Sequence, residues 1–183
     1  MLVNYVQQVN RLLDCISDTT IRCMTDLLLQ AKERGSAVYV AGNGGSYSNA
    51  SHCVLHLREA GLHAVDLMAD SSHLTALSND SDYIVAMSKR LALDAKARDV
   101  LIVISGSGSS PNIVMALVQA KAKQMGAIGL LGFGGGMAVG LCDVAVVLDS
   151  TAYGPIEDCH STIIHVLKDS LLGPRYDSAT TAL

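Results

Sequence analysis

A three-layer α/β/α sandwich around a central parallel sheet is the fold class this chain predicts, on two observations. Short, largely apolar runs with β-branched residues recur along it, and most are followed by a stretch with helical periodicity. Strands that are apolar on both faces and alternate with helices belong to a parallel sheet covered on both sides. In order, the strands are AVYVAG (37–42), HAVDL (63–67), DVLIVIS (99–105), AIGLLG (127–132) and DVAVVL (143–148). Val3, Val6, Val9, Leu12, Leu13, Ile21, Met24, Leu27 and Leu28 recur at three- and four-residue steps, which predicts a long N-terminal helical segment over 1–34, ended by Gly35. Further helices are predicted over 46–60, 72–79, 82–95, 111–125 and 156–172, with Pro111 placed in the first turn of its helix. The tail GPRYDSATTAL (173–183) reads as loosely ordered. No domain boundary interrupts the alternation, so one domain over 1–183 is expected, in keeping with the length.

Composition narrows the partners. Only 16% of the 183 residues are charged and 50% are hydrophobic, against roughly 25% charged in an average soluble domain. So thin a polar surface predicts burial against other copies of the chain. A formal charge of -4 with no basic run argues against a nucleic acid or an anionic membrane as partner. The charge-free stretch between Lys123 and Asp143 has the length of a membrane span, but its seven glycines break it into strand, turn and short helix. The N-terminus lacks a basic segment followed by an apolar run, and the odd set Cys15, Cys23, Cys53, Cys142 and Cys159 contains no CxxC pair. Reduced, buried thiols in a cytoplasmic protein are the expectation.

Two strand ends are rich in small residues, Gly42-Asn43-Gly44-Gly45-Ser46 and Ser105-Gly106-Ser107-Gly108-Ser109-Ser110. At the carboxyl ends of parallel strands, helix N-termini offer unpaired N–H groups to anions, and glycines let the backbone approach closely. Neither turn carries Lys or Arg, which suits a sugar phosphate better than a magnesium-bound triphosphate. A dinucleotide site is the competing reading, since Gly42-x-Gly44 follows a strand and Asp66 ends the next. Tyr47, however, stands where that fingerprint needs its third glycine.

His52 and His56 lie four apart on the helix after the first turn, a spacing that suits zinc chelation. On the last helix Glu157 has His160 and His165 on either side of it around the axis, and spacing alone does not choose between them. His63 and His73 lie in no motif and read as structural.

AGNGGSYSNASH (41–52), NDSDY (79–83), ISGSGSSPNI (104–113) and YGPIEDCHSTIIH (153–165) together resemble the sugar-isomerase (SIS) domain, and within it the bacterial phosphoheptose isomerases. The resemblance spans nearly the whole chain. It implies a Rossmann-like, flavodoxin-like fold, a cytoplasmic homotetramer with sites at subunit boundaries, and conversion of sedoheptulose 7-phosphate to an aldose heptose 7-phosphate. By the same likeness Ser46, Ser105, Ser107 and Ser110, with Gly44 and Gly106, bind phosphate, and Asn43 and Asp80 lie close to the sugar. The implied zinc ligands are His52, His56, Glu157 and His165, with His165 also an acid/base group. Two positions depart from the family: His56 stands where it carries the glutamate taken as general base, and Glu157 where it carries a glutamine. Either the carboxylate has moved, making Glu157 the proton shuttle with His165 or zinc stabilising the oxyanion, or Glu157 serves the metal and His56 moves the proton. A non-catalytic SIS module that senses or scaffolds through a phosphosugar is the alternative from a different class.

Overall fold

A computed structural model describes residues 1–173; the rest of the predicted tail lies outside the described residues. Five strands, β1 (Ala37–Gly42), β2 (His63–Asp66), β3 (Val100–Ser105), β4 (Gly126–Leu131) and β5 (Val144–Val147), form one parallel sheet in the order β2-β1-β3-β4-β5. Side chains of β1 and β3 alternate between the two faces, as a period of two requires. Val38, Val40, Val100, Ile102 and Ile104 enter one core, whereas Tyr39, Ala41, Leu101 and Val103 enter the other. The first core is closed by α1 (Leu2–Asp14), α2 (Asp18–Arg34), α3 (Gly45–Glu59) and α7 (Tyr153–Leu172), the second by α5 (Tyr83–Asp94) and α6 (Pro111–Ala122). Each large aliphatic side chain fully buried in these layers contributes roughly 2 kcal/mol. The short α4 (Ser71–Asp80) packs on α5 and buries no residue fully.

The predicted N-terminal helix is two helices. Ser17 caps α2, its side chain accepting from the Thr19 N–H, with Asp18 in the first turn. Apolar periodicity runs across this break because both helices press on the same core, so periodicity alone hides it. The last helix begins at Tyr153, three residues before the predicted start, with Pro155 in its first turn. Strands β3 and β5 begin one residue late for a physical reason. Asp99 and Asp143 stand outside the ladder and accept from the Ala37 and Ala127 N–H groups at 2.9 and 2.8 Å. They thereby pair donors at the starts of neighbouring strands. The glycine-rich stretch after β4 forms two short 3₁₀ turns, and among the described residues no helix is long and apolar enough to cross a membrane. The cysteines are all free, but only Cys53 and Cys159 are buried; Cys15, at the C-terminal cap of α1, and Cys23 are exposed. Burial pushes the Cys53 thiol up to about 12.

His160, one of the two histidines left open by spacing, lies fully buried. Burial pushes its pKa down to about 4, with the Leu131 backbone opposing only in part. Below its ordinary value of 6.5 the unfolded chain takes up a proton that the folded one refuses, so stability falls as pH drops from 6.5 toward 4. The loss amounts to about 3 kcal/mol. His160→Leu flattens this acid limb, seen as a smaller difference in denaturant midpoint between pH 7 and pH 4 than the parent shows.

Candidate active site

The strand order places β1 beside β3 with Gly42 level with Ile104, so the two small-residue turns emerge side by side. The helices that follow them close different cores and leave on opposite faces of the sheet. This is the switch point at which open α/β sheets bind ligands. A cleft of about 330 Å³ opens there. Asn43, Gly44 and Ser46 line it from the first turn, and Ser105, Gly106, Ser107 and Ser110 from the second. Buried Ser105 accepts from the Gly108 N–H at 3.1 Å and Ser107 from the Ser109 N–H at 3.2 Å, which fixes the second turn from inside. Gly106 has no side chain because the Tyr153 ring lies where a Cβ would go, and that ring in turn packs on Phe133 at 5.0 Å.

Glu157 enters the cleft from the first turns of α7, half-buried. Its carboxylate rests over Gly45, where any Cβ would collide with both oxygens. Asn49 of α3 donates to the Glu157 backbone oxygen at 2.9 Å and ties the two helices together. The cleft therefore combines the hydroxyls and helix N–H groups of both turns with a carboxylate that lies over Gly45 of the first. Hydroxyls and helix N–H groups favour an anion, and the Glu157 carboxylate disfavours one placed directly against it.

Asn43 is held by neighbours that sequence reasoning did not single out. Its amide pairs reciprocally with that of buried Asn112, 2.9 Å each way, and Tyr83 donates to Asn43 Oδ1 at 2.7 Å. With its oxygen accepting twice, Asn43 has an N–H left to offer a ligand. Tyr153 was likewise missed, although it sits four residues before Glu157 and so on the same helix face. Asp80 is not brought to the cleft; it is exposed at the end of α4, accepting from Asn79 at 3.0 Å. Asp66 accepts from Tyr47 at 3.2 Å and from the Met68 N–H at 2.9 Å, so the carboxylate a dinucleotide ribose needs is already engaged.

The histidines gather elsewhere on the seam between α3 and α7. Ligand atoms of His52, His56 and His165 all lie within 4.8 Å of one another, and His56 Nε2 is 2.8 Å from His52 Nε2. Burial, followed by the neighbouring His56 and His165, holds the His52 pKa below its ordinary value. His56 Nδ1 lies 3.0 Å from Glu59, which Lys168 also contacts at 2.9 Å. Those two partners, His56 first, hold the Glu59 carboxyl below the usual range. Three imidazoles converging within a few ångströms fit a metal ion. Glu157 is not among them: eight residues separate it from His165, roughly 12 Å along the helix.

Fold and cleft define a SIS-domain protein. A match to the SIS domain family covers residues 4–132. A phosphoheptose isomerase from Pelobacter propionicus is 38% identical over 152 residues, 80% of each chain. The structure of a phosphoheptose isomerase from Neisseria gonorrhoeae superposes with a TM-score of 0.88 at 28% identity, covering 93% of this chain and 94% of that one. That of a phosphoheptose isomerase from Francisella tularensis gives 0.87 at 27%, covering 93% of each. The chain belongs to the phosphoheptose isomerase family, and is an isomerase.

Proposed function

We propose that the protein converts sedoheptulose 7-phosphate to D-glycero-D-manno-heptose 7-phosphate through an enediolate, with one SIS domain spanning the chain. The observation that carries this is a cleft that brings both small-residue turns together with the Glu157 carboxylate. Ser105, Ser107 and Ser110, with Ser46 and the Gly44 and Gly106 backbone, hold the phosphate. Asn43 donates to a sugar hydroxyl or carbonyl oxygen. Glu157 takes a proton from C1 of the ketose and returns it to C2, while the carbonyl oxygen gains a proton and the C1 hydroxyl loses one.

His52, His56 and His165 hold a zinc ion, one per chain. When bound, zinc supplies positive charge to an oxygen that becomes anionic. Since His165 lies about two helical turns from Glu157 of its own chain, the metal it helps to hold is directed at the cleft of a neighbouring copy. This agrees with the homotetramer that the resemblance implies, in the cytoplasm. Asp80, exposed here, reaches a sugar on the same condition.

The test is turnover of sedoheptulose 7-phosphate by purified, zinc-supplied protein, followed by nuclear magnetic resonance in D₂O. The expected result is an aldose 7-phosphate carrying solvent deuterium at C2. Tight binding of the ketose phosphate without exchange or product sinks the enzymatic reading and leaves a phosphosugar-binding module.

A further inference from the structure

Glu59 ends α3 three residues after His56, and Lys168 lies three residues after His165 on α7. Residues three apart share a helix face, so each of the two helices delivers one histidine and, one turn on, a charged group behind it. The charged groups meet: Lys168 Nζ and His56 Nδ1 both contact Glu59 Oε2, at 2.9 and 3.0 Å. We propose that Glu59, held by Lys168, acts as an outer carboxylate that commits His56 to the metal and withdraws it from proton transfer.

The inference rests on the metal reading above. An ionised carboxylate only accepts hydrogen bonds, so the His56 nitrogen facing it carries the proton. Nε2 is then left with its lone pair, directed at His52 and the histidine cluster. Once that lone pair is given to a metal, the ring has no basic nitrogen to take a proton from a sugar. Carboxylates in this position orient the imidazole and raise its basicity, and losing one weakens metal binding 10–100-fold. Glu59 is thus a positioning residue. His56 no longer competes with Glu157 for the part of the shuttle base.

Zinc affinity of the full chain, measured by competition with a chromophoric chelator, tests this without reference to activity. Parent protein takes up about one zinc, Glu59→Gln binds it 10–100-fold more weakly, and Lys168→Met shows a smaller loss in the same direction. Nitrogen-15 imidazole shifts of the zinc-free parent show His56 protonated on Nδ1, a preference reduced in Glu59→Gln. Equal affinity of parent and Glu59→Gln, or an Nε2-protonated His56 in the parent, overturns the role of Glu59 while leaving the metal site standing. No zinc uptake by the parent overturns both.

Discussion

Glu157→Gln lowers kcat by about 10²–10⁴-fold, the range spanned by loss of one positioned acid/base group, and leaves phosphosugar binding nearly unchanged. The amide keeps the size of the carboxylate but accepts no proton, so the loss falls on kcat rather than KM. Gly45→Ala reaches the same group from the opposite helix. Its new Cβ meets the carboxylate oxygens, which sit at the free end of a flexible side chain and swing aside at little cost to the fold. The melting temperature should hardly move while kcat drops at least tenfold, a loss of about 1.4 kcal/mol of barrier lowering. Steady-state kinetics beside thermal melts of the two variants decide it. Full activity in Glu157→Gln removes the carboxylate from the chemistry and returns His56 to consideration as the base.

The largest effect on stability belongs to Gly108→Ala. Gly108 has a φ of +61°, and a Cβ there would run into the Gly135 carbonyl, which is backbone and has no rotamer to retreat to. The same glycine accepts from the Ala138 N–H at 2.9 Å, so the serine turn and the loop after β4 are interlocked. Left-handed backbone alone costs an alanine roughly 1–2 kcal/mol. With the collision added, a total of about 4 kcal/mol belongs with the severe single substitutions and lowers the melting temperature by roughly 8–16 °C in a chain of this length. Surviving folded protein binds phosphosugar more weakly, because Ser105 and Ser107 lose the turn that aims them. Gly44→Ala is the control: its φ is +55° but nothing lies within 4 Å of the added Cβ. Its cost is therefore only the conformational part for a backbone at φ +55° and ψ −125°, roughly 1–3 kcal/mol. Equal melting temperatures for the two alanine variants would show that the interlock carries no weight.

Much of this was legible in the chain. Unbroken apolar runs fixed the parallel sheet, because strands buried on both faces have no polar alternation to show. The serine and glycine turns pointed to the strand ends, and eight of their residues do line the cleft: Asn43, Gly44, Gly45, Ser46, Ser105, Gly106, Ser107 and Ser110. The pair His52 and His56 was visible as a helical repeat. The break at Ser17 was masked by periodicity that both helices share, Tyr83 and Asn112 carried no spacing signal that set them apart from core or surface residues, and Tyr153 had only its four-residue step to Glu157.

Local pattern, then, determined the layers, the strands and the two small-residue turns, since each depends on the backbone preferences and burial of neighbouring residues. Only the tertiary structure decided which side chains meet across the sheet order and the α3–α7 seam. It sent His160 into the core and His165 to the histidine cluster. It set Glu157 over Gly45 inside the cleft, roughly two helical turns before His165 on α7. Direction around a helix can be read from spacing, but which neighbour waits on that side is fixed by packing between segments more than a hundred residues apart.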